Sequence, residues 1–163
     1  MVDKEIDNDD QQLFEDIEKY GLHVLHILGE EDYSPFSYSV GLYNYSVGLY
    51  KTYSHPEIII VGLKQQLAHV IINDIAEDIK NGMNYDPFSW SDNILENHKC
   101  LFIPVDKTNY KEYVGYDRWY YKGDDFPLLQ CIYPTTKGIY PWEDAWPDNI
   151  KKLQPLLGPI NKP

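Results

Sequence analysis

The chain has 163 residues, a formal charge of −12 at pH 7, 43% hydrophobic residues and 15% aromatics. That hydrophobic fraction is too large for a disordered chain, and the charge has the wrong sign for binding nucleic acid by neutralising phosphates. No apolar run reaches the about 18–20 residues that span a bilayer.

Residues 1–8 read as an acidic tail and 9–163 as a single globular domain, of a length that holds a core without staples. The start, MVDKEIDNDD, lacks the basic and apolar parts of a secretory signal and is too acidic for a transit peptide, so a cytoplasmic protein is expected. Leu13, Phe14, Ile17 and Tyr20 fall at helical spacing and Gly21 stands where a left-handed cap belongs, which predicts a helix over about 10–20. LHVLHIL (22–28) predicts a strand, GEEDYSP a loop, FSYSVGLY (36–43) a strand and EIIIVGL (57–63) a strand covered on both faces. Residues 64–80 are the clearest helix: Leu67, Ile71, Ile75 and Ile79 repeat every fourth position and Ala68, Ile72 and Ala76 widen the stripe. DPFSWSDN reads as a loop, 100–105 as a strand, and 108–115 as a short helix capped by Thr108. An aromatic stretch, a strand over 127–133, a turn over 134–138 and a proline-punctuated C-terminus complete the chain. Interspersed strands and helices without strict alternation predict an α+β fold, a mixed and mostly antiparallel sheet packed by the two helices.

One segment is duplicated. Tyr38–Asn44 reads YSVGLYN and Tyr45–Lys51 reads YSVGLYK. Side chains alternate faces along a strand, so an odd shift of seven puts equivalent residues on opposite faces. Either one copy forms a bulge or loop, or the two pair as a hairpin turning near Asn44. Cys100 and Cys131 sit in separate apolar runs and read as buried free thiols.

Two clusters carry candidate chemistry. His55-Pro56-Glu57 precedes the buried strand; a His and a carboxylate two apart in extended chain share a face and suit acid/base work or metal ligation. Its plainer role is structural, His55 capping a loop and Glu57 pairing with a base. Gly123-Asp124-Asp125-Phe126-Pro127 presents two acids in a loop, fit for a cationic group or simply for a turn. His23 and His26, three apart in a strand, face opposite sides and cannot chelate together; they read as ordinary half-buried histidines. Trp119, Tyr120, Tyr121 and Trp142 belong to aromatic clusters that serve cores and binding hot spots alike. The phosphate-loop, dinucleotide, nucleophile-elbow and HExxH motifs are absent.

The ordered segments YGLHVLHI, PFSYSVGLY, SHPEIIIVGL, a helix ending in KNG, GDDFPLLQCIYP and KGIYPWE together resemble the bacterial family called domain of unknown function 4262, over about Tyr20 to Leu157. Ser54 stands where the family pattern has Gly, and two copies of the tyrosine-glycine strand stand where it has one, as after a seven-residue insertion. The resemblance implies a small cytoplasmic single-domain protein and brings no activity. It implies that His55, Pro56, Glu57, Asp124, Asp125, Gln130, Pro141 and Trp142 matter to fold or site.

Charge, size, aromatics and missing catalytic motifs lead to a non-catalytic protein-binding module, most concretely an immunity-type inhibitor of a basic toxin, with Asp124, Asp125, Trp119, Tyr120, Tyr121 and Trp142 as binding residues. The alternative is a small metal-dependent or acid/base enzyme, or ligand-binding domain, built on His55, Glu57 and Asp125. No cofactor, resident metal, nucleic acid or membrane partner is expected, and the chain carries no signal for oligomeric state. Residues 1–18 hold eight acids against one base, a net of −7, while the aromatics crowd the C-terminal half. Electrostatic attraction is thus expected at one end of the molecule and packing anchors at the other.

Overall fold

The structure, a computed structural model, describes residues 8–28 and 38–162. The expected tail (but for Asn8), the expected loop and the first two residues of the expected strand at 36 lie outside the described residues. In chain order the elements are α1 (Asn8–Tyr20), β1 (His23–Ile27), β2 (Tyr38–Val47), α2 (Leu49–Tyr53), β3 (Glu57–Leu63), α3 (Gln65–Lys80), β4 (Ser89–Ser91), β5 (Cys100–Pro104), α4 (Tyr110–Tyr113), α5 (Gly115–Tyr120) and β6 (Leu128–Ile132). The described residues form one six-stranded sheet in the order β1-β2-β3-β6-β5-β4. Its neighbours run antiparallel except β3 and β6, which run parallel. This is the α+β architecture, mixed and mostly antiparallel, that the interspersed pattern predicts.

Every residue of β3 is buried, because both faces of this central strand are covered. Ile58 and Ile60 join Ile72, Ile75 and Phe102 under α3. Ile59 and Val61 join Leu13, Ile17, Tyr45 and Tyr110 on the other face, beneath α1, α4 and α5. Each fully buried isoleucine contributes roughly 1.5–3 kcal/mol. Of the stripe expected on α3, Ile71, Ile75, Ile79, Ala68, Ile72 and Ala76 are buried, but Leu67 is 36% exposed. At 100° per residue Leu67 lies at the edge of the stripe, which centres on Ala68, Ile72, Ile75 and Ile79. Cys100 and Cys131 are buried free thiols, as expected.

Four local expectations are corrected. A short strand, β4, lies inside the expected 86–93 loop, pairing Ser89, Trp90 and Ser91 with β5. Asp106, not Thr108, caps the turn that enters α4, accepting from the Thr108 amide at 3.1 Å; Asp offers the charged acceptor. The aromatic stretch contains a helix, α5. The first strand of the duplication continues through the second copy to Val47, and α2 follows. The duplication takes the bulge option: β2 shifts register against β3 between Tyr38 and Tyr43, with Gly41 at φ 82.

Candidate functional site

Glu57 opens β3 and is completely buried. Its carboxylate accepts from the Ser46 hydroxyl at 2.8 Å, from the Gly48, Leu49 and Tyr50 amides at 3.0, 3.0 and 3.2 Å, and from the Tyr121 hydroxyl. The three amides form the first turn of α2, whose unsatisfied N–H groups and dipole suit an anion. The two hydroxyl donors are themselves aimed. The Ile58 amide donates to Ser46 Oγ at 2.9 Å, and the Lys51 amide donates to the Tyr121 hydroxyl at 3.2 Å. Each hydroxyl, already accepting, turns its proton to Glu57. Gly48 makes the geometry possible: its φ is 112, and a Cβ there would stand 2.9 Å from Ile17 Cγ1 and 3.1 Å from the Gly21 carbonyl.

A second buried carboxylate faces this one. Asp117 on α5 is fully buried, and neither of its oxygens has a hydrogen-bond partner. Burial, then the charge of Glu57, push its pKa well above the usual carboxylate range. Burial pushes Glu57 up as well, opposed by its donors, Tyr121 and Ser46 foremost. A carboxylate with five donors holds its charge and one with none keeps its proton, so the pair carries one proton, on Asp117. The surrounding phenols shift upward too. Burial raises Tyr45 and Tyr121, and it takes Tyr110 to about 12, the Asp117 charge adding in each case.

His55 is buried with both ring nitrogens engaged. Nδ1 lies 2.9 Å from the Pro56 carbonyl and Nε2 accepts from the Tyr85 amide at 2.9 Å, which sets a neutral ring with its proton on Nδ1. Burial lowers its pKa. His55 and Glu57 do not share partners as the extended spacing suggests. His55 turns to Tyr85, in the core beneath α3, while Glu57 turns to Ser46 and Tyr121. The pleat begins only at Glu57, after Ser54 in the left-handed region at φ 55. Asp124 pairs with Arg118 Nε at 2.5 Å, and its carbonyl accepts from the Phe126 amide at 2.9 Å, a turn. Asp125 is exposed beside it. Gln130 and the C-terminal segment hold each other: its amide donates to the Pro155 carbonyl at 2.9 Å and its carbonyl accepts from the Leu157 amide at 2.9 Å.

The aromatic residues singled out in the sequence fall into two groups. Phe14 of α1 packs its ring 5.5 Å from Trp119 and 6.0 Å from Tyr120, and Tyr120 lies 5.0 Å from Tyr121. Trp142 stands apart, stacked on Tyr140 at 5.0 Å and edge-on to Trp90 at 6.0 Å, over Leu101 and Ile160 in a cleft of about 360 Å³. A second cleft, of about 410 Å³, lies where α1, α2 and α3 meet. Neither cleft is lined by His55, Glu57 or Asp125. Among the described residues no group of three or more His, Cys, Asp or Glu converges to hold a metal, and no helix is long and apolar enough to cross a membrane.

The model of a domain of unknown function, DUF4262, matches residues 16–147, most of the chain. The chain belongs to that family. No curated protein and no solved structure matches it. The DUF4262 match takes in β1 through β6, and with them Glu57, Asp117 and the His-Pro-Glu segment. Sequence reasoning singled out Glu57 but missed Asp117 and Ser46. Asp117 stands in an aromatic run as YDRW, flanked by no other acid. Its one signal was helical spacing from Val114 and Tyr121, positions that also face inward.

Proposed function

We propose that this DUF4262 chain is a non-catalytic protein-binding module whose docking face is built by α1 and α5, and that its partner is a basic protein, most concretely a toxin it inhibits. The observation that carries this reading is the contact of Phe14 with Trp119 and Tyr120. It seats the acid-rich helix against the aromatic helix, so charge and anchors share one face rather than lying at opposite ends as the sequence alone suggests. Phe14 is 40% exposed, and Glu15 and Glu18 beside it are exposed. Three bases near this face have partners: Lys19 Nζ lies 5.1 Å over the Tyr20 ring, Lys51 Nζ lies 5.7 Å over the Tyr120 ring, and Arg118 holds Asp124. Rim acids of this kind steer a basic partner and reject wrong ones, while aromatics at the centre supply affinity.

The enzyme reading built on His55, Glu57 and Asp125 draws less support. Both His55 nitrogens and both Glu57 oxygens already have partners within the protein, so neither group is free to serve a substrate.

The test is capture from native lysate with neighbouring genes co-expressed, followed by binding kinetics. Phe14→Ala is expected to weaken the complex about 30-fold or more. Glu15→Lys with Glu18→Lys is expected to slow association, most at low salt. Absence of any stable basic partner, with no toxin gene adjacent, sinks the proposal.

A further inference from the structure

We infer that His26 and His69 form a surface site for a zinc-type divalent cation, bridging β1 and α3. The Nε2 of His26 and the Nδ1 of His69 face each other at 3.4 Å. Two nitrogens bound to one tetrahedral zinc at about 2.05 Å stand about 3.3–3.4 Å apart. The same distance is long for a hydrogen bond between them.

The orientation of His26 is set from behind. The buried Asn44 donates its amide to the Leu63 carbonyl at 3.0 Å, which leaves its side-chain oxygen as an acceptor for His26 Nδ1. The His26 proton is therefore on Nδ1 and the Nε2 lone pair points at His69. An outer hydrogen bond that fixes tautomer and ring is what metal-binding histidines use. His69 is exposed on α3, which leaves the site open to solvent. Among the described residues these two nitrogens are the protein's whole contribution, and water fills the other two positions. The cation takes His69 as the tautomer with its ring proton on Nε2, which leaves the Nδ1 lone pair for the metal.

This goes beyond the sequence reading, which considered His26 only against His23 on the same strand. The partner it missed is 43 residues away and is brought there by α3 lying across the sheet. The other histidines serve as controls. His23 Nδ1 pairs with Asp16 at 2.7 Å, His98 Nε2 faces the Thr136 carbonyl at 3.0 Å, and both His55 nitrogens are engaged.

The test is titration of the full chain with zinc chloride by calorimetry, and with cobalt by visible absorption. The expected result is one site per chain, a tetrahedral cobalt spectrum, and at least a tenfold weakening in His69→Ala and in His26→Ala. His23→Ala and His98→Ala are expected to bind as the parent does. His69 is exposed, so its variant folds, and circular dichroism verifies this. Binding by His69→Ala as tight as by the parent, or no saturable binding by the parent, overturns the inference.

Discussion

The two copies of YSVGLY adopt different structures from the same letters. In the first copy Val40 is 40% exposed and Gly41 is exposed at a bulge. In the second, Val47 is fully buried and Gly48 turns the chain out of β2 into α2. The difference lies in what each copy meets. The second runs between β1 and β3 in continuous register from Tyr45 to Val47 on the β1 side, and its Ser46, Gly48, Leu49 and Tyr50 all donate to Glu57. Among the described side chains of the first copy, none donates to Glu57. A buried carboxylate thus decides the conformation of a segment whose own propensities are indifferent. This is the principle of tertiary context overriding local preference.

Removing that carboxylate is expected to have the largest effect. Glu57→Ala strands two hydroxyls and three amides in the interior and is expected to destabilise by about 3–5 kcal/mol. Urea unfolding measures the loss. Hydrogen exchange at the Gly48, Leu49 and Tyr50 amides locates it, because these protons should exchange freely in the variant. Unchanged protection there would mean that α2 is held by packing alone.

The paired glycines give the next contrast. Gly48→Ala is expected to destabilise by about 2–4 kcal/mol, from left-handed strain together with the clash against Ile17 and the Gly21 carbonyl. Gly41→Ala, at an exposed bulge, is expected to lose only about 1 kcal/mol. Thermal melts of the two variants should differ clearly. Equal losses would refute the claim that the copies sit in unequal surroundings.

Much of this was legible in the sequence, and the gaps have physical causes. The deep burial of β3 and most of α3's stripe follow from apolar periodicity alone. The odd period of the duplication already forbade equivalent placement. Glu57 was visible because an acid beside a run of isoleucines is conspicuous. Its five donors were not, since three are backbone amides, which carry no residue signature, and Tyr121 comes from 64 residues away. Asp117 was hidden for the same reason in reverse: nothing binds it, so no partner pattern marks it. The short elements α2, α5 and β4 are too brief for periodicity to declare them.

Asp117 yields a smaller effect with a sign that separates it from the rest. Its folded pKa is raised, so the folded chain keeps a proton that the unfolded chain releases above about pH 4. Stability from this group is therefore full at low pH and declines as pH rises toward its folded pKa. Asp117→Asn removes that decline. Its stability relative to the parent is expected to increase from pH 5 to pH 8, by comparison of urea midpoints. His55 acts oppositely, since a lowered pKa loses stability as pH falls below about 6.5; comparing variant with parent cancels that contribution. A variant that loses stability relative to the parent at pH 8 would place the proton elsewhere in the pair.

The smallest effect is expected from deleting residues 38–44 outright. Phe36 and Ser37 then take the places of Tyr43 and Asn44 before Tyr45, and the chain reaches Glu57 with a single YSVGLY. The copy that remains is the one whose Ser46, Gly48, Leu49 and Tyr50 hold Glu57, so the carboxylate keeps its partners and the bulge disappears. The net change is expected to stay within about 1 kcal/mol if Phe36 and Ser37 refill the strand positions beside β1 and β3, because the shorter connection before them alters closure entropy only slightly. Amides of Gly48–Tyr50 should remain protected from exchange. His26 loses Asn44 behind it, so zinc affinity should fall by about ten- to a hundredfold while the fold persists. Loss of protection at α2 would instead show that the bulged copy braces the ordered one, and the two regions would then have to be treated as a single unit.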